Sequence, residues 1–158
     1  MKKATKTQTD NVYAFRNHCM KKLIKKVVTQ GKEVFKYKEY DKKSLGVDLK
    51  INTRKIKYKA VKNTQIYLMF EVMNGSNPGW FAEYKDGSYK SVAEDLYYHI
   101  EELGIVYVVD LIMVRAYIKN PLNEIRTTDK SMYGGGWSYL VSIDDMMKNN
   151  IITRIINI

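Results

Sequence analysis

One cysteine, Cys19, stands in the whole chain. That excludes an internal disulfide and fits a reducing compartment such as a cell's cytoplasm. No apolar run approaches the roughly 20 residues that a membrane span needs. The start, Met1-Lys2-Lys3-Ala4-Thr5-Lys6, leads into polar residues and then an amphipathic stretch. With no continuous apolar segment behind the lysines, it does not read as a signal peptide. The two histidines, His18 and His99, stand apart, and no His/Cys/Asp/Glu spacing suggests zinc. His18 and Cys19 are adjacent, and adjacent helical residues point about 100° apart, so they are not a nucleophile–base pair. Gly134-Gly135-Gly136 lacks the Lys-Ser/Thr of a phosphate loop and leads into a strand, so it reads as a turn.

Acidic residues are scarce in one part only. Residues 1–62 hold nineteen Lys/Arg against five Asp/Glu, whereas residues 63–158 hold eight against twelve. The overall charge is +10. Such a balance implies a polyanionic partner, with nucleic acid ahead of an anionic membrane surface. A length of 158 residues with 45% apolar content fits one domain with its own core.

Residues 1–10 read as a flexible basic arm, and Asp10 as the cap of a helix that ends before Gly31. Val12, Phe15, Cys19, Leu23, Ile24, Val27 and Val28 form its apolar stripe. Lys21, Lys22, Lys25 and Lys26 lie largely off that stripe and are candidates for nucleic-acid contact. Strands are expected at residues 33–37, 45–51, 55–61, 65–72 and 80–84. Ser91-Val92-Ala93-Glu94 has the form of a capping box that opens a helix ended by Gly104. A strand at 105–111, a helix at 112–119, a loop to 136, a strand at 137–143 and a helix at 144–157 complete the order. Asp144-Asp145 reads as capping of that last helix. The pattern is α/β or α+β, a central mixed sheet flanked by helices.

Inside the basic part lies Leu45-Gly46-Val47-Asp48-Leu49-Lys50-Ile51. A two-residue turn at Asn52-Thr53 pairs Ile51 with Arg54, Lys50 with Lys55 and Asp48 with Lys57. Directly opposed residues share a face, so Asp48, Lys57 and Lys59 share one. A three-residue loop at 62–64 would next pair Lys59 with Tyr67 and bring Glu71 to that face; a two-residue loop would not. Lys50, Lys55 and Lys57 join the candidate phosphate contacts. Tyr37, Tyr40 and Tyr67 lie among the lysines, where tyrosine can stack on bases. Tyr58 reads as core.

These residues resemble the PD-(D/E)XK nuclease-like superfamily, in its small phage and prophage form. The matching segments are Gly46-Val47-Asp48, Lys57-Tyr58-Lys59-Ala60, Phe70-Glu71-Val72 and Gly79-Trp80-Phe81. The likeness spans about residues 11–119 and leaves 120–158 as an addition within a single domain, 11–158. It implies a restriction-endonuclease-like core and a phage-encoded protein acting on DNA or RNA in the host cytoplasm. It also implies Mg²⁺ held by Asp48 and a second carboxylate, with Lys59 as the catalytic lysine. The family's acid two positions before the lysine is replaced here by Lys57. Glu71 is then the second catalytic and metal-binding carboxylate, with Glu33 or Glu39 as other sources of oxygen. The other reading is a cross-strand Asp48–Lys57 ion pair. It implies an inactive nuclease fold that binds nucleic acid or a protein partner, as a phage accessory protein, an inhibitor or a virion component.

Overall fold

The computed structural model describes residues 6–130 and 133–158. Helix α1, Lys6–Thr29, contains no Gly or Pro and stops before Gly31, whose φ is +78°. It already includes Asp10, so Asp10 is not its cap. Residues 1–5 of the expected arm lie outside the described residues. Phe15, Cys19, Leu23 and Val27 recur every four positions and form the packed face. Val12 and Val28 fall off it and stay exposed.

Next come β1 (Val34–Lys36), α2 (Glu39–Leu45), β2 (Leu49–Ile51), β3 (Arg54–Val61), β4 (Tyr67–Asn74) and the two-residue β5 (Asn77–Pro78). They are followed by β6 (Asp95–Ile100), β7 (Ile105–Asp110) and α3 (Leu111–Lys119). The chain ends with β8 (Arg126–Thr127), β9 (Trp137–Ser142), α4 (Ile143–Lys148) and β10 (Ile152–Asn157). Six strands form a mixed sheet in the order β1-β2-β3-β6-β7-β10, and four form an antiparallel sheet in the order β5-β4-β9-β8. The molecule is α+β, with four α-helices among the described residues.

The large sheet has apolar side chains on both faces, because alternate residues of each strand point to opposite sides. Ile56 and Tyr58 of β3, with Tyr97 of β6 and Val106 and Val108 of β7, meet α1. Leu96, Tyr98 and Ile100 of β6 and Val109 of β7 face the other way. There they pack with Leu68 and Phe70 of β4, Val141 of β9, Val114 of α3 and Met146 of α4. Strands β3 and β6 run parallel, which demands a long connection. Residues 62–94 supply it by leaving the large sheet to build β4 and β5 of the small one.

Several expectations need correction. Residues 91–104 are not a helix: Asp95–Ile100 is a fully buried strand. Its Tyr-Tyr core suits a pleated surface, and the capping-box side chains are used elsewhere. Ser91 Oγ donates to Gly46 O, and the Glu94 carboxylate accepts from Lys55 N at 3.0 Å. The expected terminal helix is two elements. Asn150, at φ +56°, ends the α4 segment, and the β-branched run from Ile152 becomes the edge strand β10. Leu45 belongs to α2 rather than to a strand. Residues 80–84 form no strand beyond a single bridge from Glu83 to Tyr89. The continuing meander is also absent, since β4 pairs β9 and not β3.

Candidate functional site

The β2–β3 hairpin has the expected register: Ile51 opposes Arg54, Lys50 opposes Lys55, and Leu49 opposes Ile56. Asn52 takes the left-handed conformation, φ +51°, that asparagine tolerates at a tight turn. Continued by one residue, this register brings Lys57 to Asp48. Asp48 lies just before β2, where the ladder loosens. Its N–H donates to Ile56 O at 2.8 Å, and its own Oδ2 accepts from Tyr58 N at 2.8 Å. A carboxylate thus stands in for a backbone acceptor at the point where the two strands part.

Asp48 is positioned from both sides in the chain. Gly46 caps α2 at φ +64°, and its N–H reaches Lys42 O at 3.0 Å. A Cβ on Gly46 would stand 2.8 Å from the Ser91 backbone, so glycine is required for both conformation and space. Val47 is anchored in the core between the sheets.

The Asp48 side chain is 5% exposed and its charge is met on two sides. Arg16 of α1 places a terminal nitrogen 2.7 Å from Oδ1, and Lys57 Nζ lies 3.7 Å from Oδ2. The Arg16 guanidinium also stands 5.6 Å from the centre of the Tyr58 ring. Arg16 was not foreseen. It lies on the helix next to the stripe residue Phe15, and only the fold shows that this turn of α1 meets the parted end of β2 and β3.

Asp48 opens into a cleft of about 480 Å³. Its basic members are Arg16, Lys42, Lys43, Lys57 and Lys90; its acidic members are Glu39, Asp48 and Glu71; Tyr13 and Trp80 add aromatic surface. Glu71 therefore reaches Asp48's cleft, although the strand pairing expected to bring it there does not form. Gly79 explains its position. The 79–81 segment crosses β4 with Gly79 N donating to Val72 O at 2.7 Å and Phe81 N to Glu71 O at 2.9 Å. A Cβ at Gly79 would lie 2.5 Å from Glu71 O. The resemblance singled out Phe70-Glu71-Val72 and Gly79-Trp80-Phe81 separately, and the fold packs one on the other.

Lys59 shares its face with Lys57, and its ammonium lies 5.6 Å from the Tyr98 ring centre. Burial pushes its pKa down; nearby Glu71 opposes that shift and Lys57 adds to it. Among the described residues, no three His, Cys, Asp or Glu gather as a metal site. With Asp48 held by Arg16, Lys57 and a backbone N–H, the donors around it suit an anion better than a cation. Glu39 borders the cleft; Glu33 does not line it and instead donates its N–H to Asn52 Oδ1.

The candidate phosphate-binding lysines divide. Lys50, Lys55 and Lys57 alternate with residues that face α1, so they lie on the opposite side of the sheet from that helix. Lys21, Lys22 and Lys25 are exposed on α1 itself, and Lys26 is half-buried there. They do not share one surface with Lys57. Lys42, Lys43 and Lys90, which the sequence did not single out, take their place around Asp48. Of the tyrosines, Tyr58 is buried as expected and Tyr40 is exposed. No family model matches this chain, and neither a curated protein nor a solved structure shows significant similarity to it.

Proposed function

We propose that the Asp48 cleft binds the phosphodiester backbone of a nucleic acid, in a protein of PD-(D/E)XK nuclease-like fold. One observation carries this reading: five basic side chains surround three acidic ones, and the most buried acid is already neutralised. The net positive field left over attracts phosphate. The hairpin carrying Asp48 and Lys59, followed by a parallel strand, supports the fold comparison. The test is titration of labelled DNA and RNA at several salt concentrations, with wild type and Asp48→Asn. Asparagine keeps an acceptor for Tyr58 N and removes a negative charge from the cleft. Binding should persist or tighten in the variant, and affinity should fall steeply with salt in both. A salt slope near zero would sink the proposal.

A second reading, a metal-dependent phosphodiesterase, is favoured by one specific feature. Glu71 lines the same cleft as Asp48, and Lys59 stands close enough to feel its charge. The two carboxylates would hold a divalent cation once Arg16 and Lys57 turned from Asp48 to the phosphate. The cation would supply an activated water and charge neutralisation. Lys59 does not line the cleft and would have to turn from the Tyr98 ring to place a positive charge beside the phosphate; Lys57 and Lys90 would hold the strand. This reading requires strand cleavage in Mg²⁺ or Mn²⁺ that is lost in both Asp48→Asn and Glu71→Gln while binding remains. If wild type cuts nothing, the second reading fails and the first stands.

A further inference from the structure

Among the described residues, the four outer strands of the two sheets are unequal. Strands β1, β5 and β8 are only two or three residues long. The fourth, β10, runs for six residues at the end of the large sheet, beside β7. An outer strand presents a row of unpaired N–H and C=O groups, and monomeric proteins blunt it by shortness, lysine, proline or a bulge. β10 contains neither lysine nor proline. Its bulge falls at the start, between Ile152 and Arg154, and leaves the rest of the strand regular. Its one charge, Arg154, reaches back over β7 to the Tyr97 hydroxyl of β6 at 2.8 Å, away from the free edge.

The ladder fixes which backbone groups are free. Ile158 N donates to Gly104 O at 2.8 Å, so the residues that bond to β7 alternate back from Ile158 through Ile156 to Arg154. Ile155 and Asn157 therefore point their N–H and C=O away from β7, and both residues are exposed. Apolar side chains border this edge. Ile155 is 41% exposed, and Ile158, Leu103 beside Gly104, and Met147 in the helix leading into the strand are exposed as well.

We propose that β10 pairs antiparallel with β10 of a second copy of this chain about a twofold axis, joining two six-stranded sheets edge to edge. The register makes the strand its own complement. Antiparallel strands exchange hydrogen bonds between directly opposed residues. An axis at Ile156 sets Ile155 of each copy against Asn157 of the other, so the free groups of both residues are met. The same register sets Arg154 against Ile158 of the second copy, so the two arginines do not face each other. Charge also favours this edge for a second copy. The chain carries +10, which repels its like, but residues 143–158 hold two Asp, one Lys and one Arg, a net of zero. The Asp48 cleft stays clear of the joint, because β3, β6 and β7 lie between β2 and β10. The dimer stands or falls independently of nucleic-acid binding.

Sedimentation equilibrium of the full chain between about 1 µM and about 1 mM should show monomer and dimer in exchange, since pairing along one short strand makes a weak dimer. Ile155→Lys brings like charges together at the joint, and Asn157→Pro removes an N–H that the chain's own ladder does not use. Each should weaken dimerisation by about tenfold or more with an unchanged circular dichroism spectrum. Leu122→Lys, exposed in the loop after α3, should leave it unaltered. A second readout needs no substitution: exchange of the Ile155 and Asn157 amide protons of the wild type should slow as concentration rises. A monomer throughout the range would overturn the proposal and leave the edge to a strand of another protein. A dimer that both variants leave intact, or in which those two amides exchange as fast as in the monomer, would overturn it by placing the joint on another face.

Discussion

Asp48 holds three groups together: a guanidinium, an ammonium and a backbone N–H. Asp48→Ala leaves all three without their acceptor. Breaking a buried ion pair costs roughly 3–5 kcal/mol. Arg16 and Lys57 keep 21% and 23% of their side-chain exposure, so water recovers part of that. We expect Asp48→Ala to lose about 2–4 kcal/mol in urea unfolding, and Asp48→Asn distinctly less because it still accepts from Tyr58 N. Equal losses would mean that the backbone hydrogen bond contributes nothing. His99 sets a pH dependence beneath α1. It is 1% exposed, its Nδ1 is 2.8 Å from the Tyr58 hydroxyl, and burial lowers its pKa from 6.5, helped by Lys22 and opposed by Glu101. Its folded pKa is below its unfolded one, so the unfolded chain binds more protons between the two values. Stability should therefore fall as pH drops below about 6.5. Comparison of wild type with His99→Gln isolates this contribution: the variant should show a shallower decline between pH 7 and pH 5, and an unchanged slope would refute the assignment.

At the scale of elements, Gly79 governs how β4 presents Glu71 and Trp80. A methyl group there would run into Glu71 O and Cγ, at 2.5 and 2.6 Å, and the Glu71 carbonyl, which accepts from Phe81 N, has little room to yield. Gly79→Ala should destabilise by about 1–3 kcal/mol, as over-packing does. It should also weaken nucleic-acid binding by displacing cleft residues. If it binds as wild type does while losing stability, the crossing supports the fold and not the cleft. The same element shows where the sequence was legible. The β2–β3 hairpin could be read because a two-residue turn, alternating burial and an Asn tolerant of positive φ all agree. Helix α1 could be read from its four-residue apolar repeat. The capping box of Ser91 and Glu94 misled because both side chains serve distant partners, Gly46 and Lys55, and local pattern carries no record of them. Glu71 was brought to the Asp48 face by a strand pairing that does not exist, and its role as second carboxylate came from the resemblance; β4 leaves the large sheet and reaches the cleft from the other layer.

At the scale of the molecule, Lys21, Lys22 and Lys25 of α1 and Lys50, Lys55 and Lys57 of the β2–β3 hairpin stand on opposite sides of one sheet. Net charge therefore predicts attraction to polyanions but not where they bind. Two triple variants separate charge from placement. Lys42→Ala, Lys43→Ala and Lys90→Ala together remove three charges from the cleft; Lys21→Ala, Lys22→Ala and Lys25→Ala remove three from the exposed face of α1. Both leave the same net charge, so any long-range effect of total charge is equal. Deleting one lysine–phosphate ion pair lowers the slope of log affinity against log salt by about one. The slope of the cleft triple should drop by about two to three. The size of that drop is set by whichever of the three lysines meets phosphate, since Lys42 is 3.6 Å from Glu39 and Lys90 donates to Pro78 O. The α1 triple should change the slope by less than about one, because its lysines stand across the sheet from Lys57. Equal drops would make the basic half a diffuse field rather than a site. A larger drop in the α1 triple would move the nucleic acid to the helix and leave Asp48 as an ion pair that holds α1 to the hairpin.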